Sequence, residues 1–489
     1  MSQPLLVDGG TGDCEGNDDT TRPTRNDADC ASSSIRKNFL RMSTLFAINH
    51  GCTVSCVGLA NARLGSIGIW SSGTLYASYT ASALFGASYF VKRLGSRNGL
   101  VLGMGMCASY VSSFSLALLI VDEGGDGKLV WLQGVVAIAG AFLGGVGSSI
   151  LWVSQGTYFA SAAQLFASKQ GELVEDVTSR FGGNFAFAFL LFEVVLRLLS
   201  TFLIETLGLS WKTIFILYSL LSIIPAICMM CVMDVEGYQN SYNSPHLEEE
   251  TSGEDDISWT QKATAALDLL RKDARAKYLS PLSVLFGLST SFGSSVLNGE
   301  VLRRVLSDDN STYVGLYSAV TSMVAAGASL LFGALESSHG RFHVGKRSVL
   351  TAGASSYLIV ASLFLAIPTG GFWNRTTLLF VYSMLGIGRA TWEGTFRAVF
   401  ADFFPNKKEG AFGSIILFNG SASTLGFILS VSKVLECDEV SKYCFEYRDG
   451  SIHNVLIMEV LVIMTAVIAI PSFWRAWRLH TLIAEHTFH

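Results

Sequence analysis

Charge is scarce in this chain: Asp, Glu, Lys and Arg make up 15% of its 489 residues, against roughly 25% in an average soluble protein. A soluble protein of this composition would need a core too large for one domain. Proline is also rare, at 8 residues, so few long helices need be broken. No complete phosphate-cradling loop (Gly-x-x-x-x-Gly-Lys followed by Ser or Thr), no Gly-x-Ser-x-Gly elbow and no helix pairing His with carboxylates at metal spacing is present. The enzyme classes those motifs mark are therefore not expected, nor is a cofactor or a metal. No filter-like sequence interrupts an apolar run, which argues against a simple pore. The net charge of -5 comes from acidic residues in the N-terminal tail, a central segment and one late loop, and nothing in it points to nucleic acid. A charged and then apolar leader is missing near the start, and no lipidation signal is seen, so neither is expected. Nine cysteines are scattered; Cys228 and Cys231 sit in an apolar run without further ligands and read as packing residues.

Half of the residues are apolar and 48 are glycine; the mean hydropathy is +0.42. Runs of about 20 apolar residues, each able to cross roughly 30 Å of hydrocarbon, recur along the chain. About twelve are predicted, at 38–60, 67–91, 100–121, 129–153, 184–206, 212–233, 279–299, 311–335, 348–368, 376–398, 411–433 and 453–474. Lys and Arg cluster at alternate ends, as at Arg36, Lys37, Arg41, Lys92, Arg93, Arg97, Arg341, Lys346, Arg347, Lys407, Lys408, Arg475 and Arg478. That bias predicts both termini in the cytosol. The sequons at Asn310 and Asn374, candidate glycosylation sites, then fall on the opposite side, as does a candidate disulfide between Cys437 and Cys444.

Residues 234–278 break the run of spans into six and six. Glu248 to Asp256 reads as solvated linker, and after it Trp259, Ala263, Ala266, Leu267, Leu270 and Ala274 recur at helical spacing opposite Lys262, Arg271, Lys272 and Arg275. An amphipathic helix on the cytosolic membrane surface is expected there. The predicted organisation is a disordered tail (1–35), a six-helix half (36–233), this linker, a second half (279–475) and a cytosolic tail (476–489).

The halves echo each other. Gly95, Arg97, Leu100 and Gly103 match Gly345, Arg347, Leu350 and Gly353 at one constant offset, each set following the second span of its half. Gly156-Thr157-Tyr158 in the fourth span corresponds to Gly394-Thr395-Phe396 in the tenth. Span count, central break and parallel repeat together predict an all-α polytopic membrane protein of major facilitator-like fold, in two pseudo-symmetric six-helix halves. The loop Lys92 to Arg97 resembles the superfamily's signature between its second and third helices, except that Lys92 stands where an acidic residue is usual.

The stretch from Gly386 to Pro405, Gly-Ile-Gly-Arg-Ala-Thr-Trp-Glu-Gly-Thr-Phe-Arg-Ala-Val-Phe-Ala-Asp-Phe-Phe-Pro, resembles the Unc-ninety-three-like branch of that superfamily. So does Leu-Trp-Val-Ser-Gln-Gly-Thr-Tyr from Leu151 to Tyr158, and more loosely the face of Ser72, Tyr76 and Tyr79. The resemblance implies a facilitator fold whose members include regulatory subunits of potassium channels, trafficking chaperones of receptors, and orphans presumed to transport.

Ionisable residues inside spans cost about 2.5–3.5 kcal/mol each near the bilayer centre, so each needs a partner or water. Glu193 and Arg197 lie four apart in the fifth span, where they read either as a self-neutralising pair or as a gate. Arg389, Glu393 and Arg397 form an i, i+4, i+8 ladder in the tenth, with Arg389 expected deep and Arg397 interfacial. His50 lies mid-span beside Asn49, as a proton relay or a packing residue; Asn298 and Glu300 end the seventh span, and Asn419 is expected to bond between helices. Gln155 and Tyr158, from the motif of the fourth span, join His50, Glu193, Arg197, Arg389 and Glu393 as candidate cavity or gate residues. Two functions fit. One is a carrier that alternates access to a small solute or ion; the other is a non-transporting subunit of a channel or receptor. The bilayer is a partner in both.

Overall fold

In a computed structural model, described over residues 25–64, 66–120, 129–235, 237, 265–307, 312–336, 344–367, 372–430, 444–446 and 452–487, the chain forms twelve helical rods. The first half holds α1 (Arg25–Leu64), α2 (Ser66–Phe85, continued past Gly86 by Ala87–Leu94), α3 (Ser96–Ile120), α4 (Val130–Gln170), α5 (Val174–Glu205) and α6 (Trp211–Cys228). In the second half, α7 is Ala274–Ser291 prolonged by a π segment, Phe292–Val301, and by Leu302–Leu306, and α8 is Thr312–Leu335. They are followed by α9 (Lys346–Ala366), then α10, made of Arg375–Thr391, a π turn Trp392–Phe396 and Arg397–Phe403. The last rods are α11 (Lys408–Ser430) and α12 (Leu456–Thr487).

Eight rods are long and apolar enough to cross a membrane by composition alone, among the described residues. The other four, α1, α2, α7 and α10, carry polar side chains turned inward: Asn49, Thr53, Ser71, Ser78, Ser283, Ser291, Glu393 and Arg397 are all buried. In lipid such groups must face protein or a wet interior, so the four least apolar rods mark the inside of the bundle. Asn49 shows how they are held, its amide donating to the Met104 and Ser222 carbonyls at 3.2 and 2.8 Å and so tying α1 to α3 and α6.

The start of α1 and the end of α12 lie at one end, here the terminal face, where Arg275 at the start of α7 meets His480 in α12 (3.0 Å) and Gln170 at the end of α4 donates to Ser32 in α1. The two halves meet along α5–α8 and α2–α11. At the first seam the backbones touch: a methyl group at Gly183 would come within 2.8 Å of the Ser329 carbonyl, and one at Gly333 within 3.0 Å of that of Ser179. Small residues permit this approach. Gly183→Leu should therefore prise α5 from α8 and cost about 1–3 kcal/mol through overpacking, read as a lower midpoint of thermal unfolding in detergent. An unchanged midpoint would mean that the seam relaxes freely.

Several expectations need correction. The linker helix spans Ala265–Lys272 and stops at Asp273, whose carboxylate accepts from the Arg275 amide at 2.8 Å and caps α7. Ala274 and Arg275 thus open α7 rather than close an amphipathic helix. Trp259, Lys262 and Ala263 lie outside the described residues. Cys228 and Cys231 are exposed at the end of α6 instead of packed, because the apolar run there faces outward. Asn419, expected to bond between helices, accepts from Ser423 within its own helix, and Ser423 is the one that donates to the Gly287 carbonyl of α7 (3.2 Å). Two short antiparallel strands, Cys444–Glu446 and Ile452–Asn454, add a hairpin before α12. Asn310, Arg341 and Cys437 lie outside the described residues, and only the backbone of Cys444 and Glu300 is described. Asn374 is exposed and caps α10, accepting from the Thr376 and Thr377 amides at 2.9 and 3.1 Å.

Candidate functional site

At mid-depth the halves are joined by charge. Glu193 of α5 is fully buried, pairing with Arg197 one turn on (2.7 Å) and with Arg389 of α10 (2.5 Å). Ser322 of α8 completes the cluster, donating to Glu193 at 3.3 Å and accepting from Arg389 at 3.1 Å. A carboxylate with no water around it needs such donors, and two guanidinium forks supply them. The helical spacing of Glu193 and Arg197 was legible; the partner from α10 was not.

Of the ladder expected in α10, the step from Glu393 to Arg397 is made, at 3.4 Å. Arg389, which precedes the π turn, reaches Glu193 of α5 instead. Arg397 is buried within the bundle, donates to Gln155 of α4 at 3.2 Å and lies 4.2 Å over the Trp152 ring. His50 sits in an aromatic box, its ring 5.0 Å from Trp152, 5.3 Å from Phe189 and 5.6 Å from Phe46. Tyr158 is committed elsewhere, donating to the Met233 carbonyl at 3.0 Å and so fixing α4 to the chain after α6. The face of Tyr76 and Tyr79 packs on α11, where Tyr76 meets Phe427 at 5.4 Å and Tyr79 lies against Gly420. Asn298 accepts from Tyr382 at 2.6 Å, tying α7 to α10.

A second charged junction, missed in the sequence, closes the terminal face. Lys346, at the start of α9, is buried and pairs with Asp402 of α10 at 2.6 Å, while donating across the halves to the Glu175 carbonyl (2.8 Å) and to Thr178 (3.0 Å) of α5. Thr178 donates in turn to Asp402 (2.9 Å). Nearby, Lys408 of α11 donates to Ser161 and Gln164 of α4 at 3.1 and 2.7 Å, and Phe412 packs against Gly156. The repeated loop arginines do not cross: Arg97 reaches its neighbour Asn98, and Arg347, after Gly345, stacks on Trp474 at 4.4 Å. Lys92 is exposed beside Gly95. At this face the charged contact between the halves is thus made by Lys346 of the second half and not by the loop at Lys92.

Glu336, just after α8, is buried beside this latch and accepts from Thr395. Burial pushes its carboxyl up to about 7. An open, wetted terminal face would return it to the ordinary carboxylate range near 4, so the closed state binds the proton more tightly. Closure gains from Glu336 are full below that range and fade as pH rises through about 7. Thiol labelling of a cysteine placed under the latch should therefore speed up between about pH 5 and pH 8, and Glu336→Gln should flatten that rise. A slope unchanged in the variant would clear Glu336 of this role.

Comparison with known proteins fits this geometry. The model of the Major Facilitator Superfamily matches residues 61–429. The UNC93-like protein 3 of Arabidopsis thaliana is 25% identical over 79% of this chain and 78% of its own, and the bovine protein unc-93 homolog A is 25% identical over 74% and 79%. Among solved structures, a bacterial homologue of the iron transporter ferroportin in an outward-facing state aligns with TM-score 0.62 at 13% identity, covering 91% of this chain and 99% of that one. The Escherichia coli fucose:proton symporter aligns with TM-score 0.61 at 11% identity, over 92% and 99%. With twelve rods in two halves, seams along α5–α8 and α2–α11, and this match across three quarters of its length, the chain belongs to the Major Facilitator Superfamily.

Proposed function

We propose that the protein is a carrier that moves a small solute or ion by rocking its two halves about the mid-depth cluster. The observation that carries this reading is the buried pairing of Glu193 with Arg389 across the halves. A charge pair away from water is costly and retained best where it is made and broken as a switch. The inter-half bonds from Gln155, Ser161, Gln164, Thr178 and Glu193 all lie in the middle or at the terminal face, which supports a state closed there and open opposite. With the positive-inside bias, the closed face is the cytosolic one, and Asn374 lies outside. Organisation into halves at 36–233 and 279–475 with a linker between them belongs to the same reading, as does the absence of enzymatic chemistry.

The other reading, a non-transporting subunit of a channel or receptor, draws on the basic residue at Lys92 and on the names of the relatives. The latch at Lys346 weakens its first support. Purified protein in liposomes should take up solute in a way abolished by Arg389→Gln paired with Glu193→Gln. No uptake of any solute, together with a stoichiometric membrane partner on mild purification, would overturn the carrier reading.

A further inference from the structure

The mid-depth cluster is unbalanced in charge and in hydrogen bonding. Three guanidinium groups, Arg197, Arg389 and Arg397, face two carboxylates, Glu193 and Glu393. Accessibility is unequal too. The Glu193 side chain is wholly covered, whereas those of Arg197 and Arg389 are 26% and 20% exposed, so the wall offered to a ligand is cationic. Two buried donors, Nε2 of Gln155 and Nε of Arg397, have no acceptor among the described residues, and Nδ1 of His50 is also without a partner. Buried donors left unpaired are costly, and an incoming acceptor removes that cost.

Contacts run without a break from one guanidinium to the other: Arg397 over Trp152 (4.2 Å), Trp152 to His50 (5.0 Å), His50 to Phe189 (5.3 Å) and Phe189 beneath Arg389 (5.8 Å). The first half supplies a flat aromatic wall from α1, α4 and α5; the second supplies the guanidinium groups at both ends of that wall, Arg389 and Arg397 of α10. From this juxtaposition we infer that the site takes a small organic anion, a carboxylate borne on a flat, apolar body. The carboxylate accepts from Arg397 and Gln155, and the body lies along Trp152, His50 and Phe189. Such a ligand touches both halves, adds a carboxylate to a cluster that is one short, and satisfies the idle donors of Arg397 and Gln155 at once. This assignment rests on the carrier reading only for the fate of the bound anion; binding itself does not.

The test uses the full chain in lipid nanodiscs, with binding followed by thermal unfolding and titration calorimetry. Benzoate is the probe, and benzamide and benzylamine are its neutral and cationic counterparts. Benzoate should raise the unfolding temperature and bind at least about tenfold more tightly than either. Arg397→Gln combined with Glu393→Gln, which strands no carboxylate, should abolish that preference, and Gln155→Leu should weaken benzoate alone. No binding of benzoate to the wild type, equal binding of benzamide or benzylamine, or an undiminished preference in both variants would overturn the assignment. If benzoate fails while liposomes take up a cation or a neutral solute in a Glu193-dependent way, the ligand class falls and the carrier reading stands. If benzoate binds with this selectivity but nothing crosses, the site stands and the carrier reading falls.

Discussion

Replacing Glu193 alone with Gln should cost the protein about 3 kcal/mol, the low end for a broken buried pair, because it leaves the partly covered Arg197 and Arg389 facing each other without their shared counter-charge. The expected result is a large drop in unfolding temperature in detergent and a loss of uptake. Arg389→Gln should be milder, since Glu193 keeps Arg197 at 2.7 Å and Ser322 at 3.3 Å. This asymmetry is the informative part. A cluster that merely neutralised itself within α5 would tolerate loss of Arg389 without any effect on stability or transport. Glu193→Gln combined with Arg389→Gln and Arg197→Gln should recover much of the stability, since no lone charge remains, while transport stays lost. Recovery of transport in that triple variant would show that the charges serve folding alone.

The second large effect is expected at the terminal latch. Lys346 is buried and holds Asp402, Thr178 and the Glu175 carbonyl together, so one side chain joins α9, α10 and α5. Lys346→Met removes the cation and strands Asp402, which retains only Thr178. The closed terminal face should lose about 3 kcal/mol, on the order of a hundredfold in the ratio of closed to open molecules. A cysteine beneath the latch should then react with a soluble maleimide far faster than in the wild type. The paired change Lys346→Met with Asp402→Leu should restore much of the closure, because no charge is stranded. Equal labelling in wild type and Lys346→Met would place the barrier elsewhere, for instance at Phe412 against Gly156.

The fold was largely legible because bilayer thickness and hydrophobic periodicity constrain span length and number directly. Charge distribution and the repeat at Gly95 and Gly345 then restricted the topology. The site was only half legible. Glu193, Arg197, Arg389 and Glu393 stand out in apolar runs because each is costly there, but their pairing depends on how α5 and α10 meet, which no local pattern encodes. Local spacing gave the step from Glu393 to Arg397, but not the turn of Arg389 toward α5. Lys346 was overlooked for a different reason. It sits at a span end among Arg341 and Arg347, where Lys and Arg are common and usually solvated, and its burial comes from contacts with α5 and α10 that no local pattern encodes. Glu336 and Asp402 escaped notice in the same way.

The central claim is that the halves rock as bodies about the mid-depth cluster, and paired distance measurements test it most directly. Spin labels at Lys92→Cys and Lys407→Cys report the terminal face, and labels at Leu207→Cys and Phe372→Cys the opposite one, in a background without native cysteines and in nanodiscs. All four positions are exposed. The account predicts that in Lys346→Met the terminal distance lengthens as the opposite one shortens, and that wild type favours the reverse. Two distances that stay fixed, or that widen together, would contradict it.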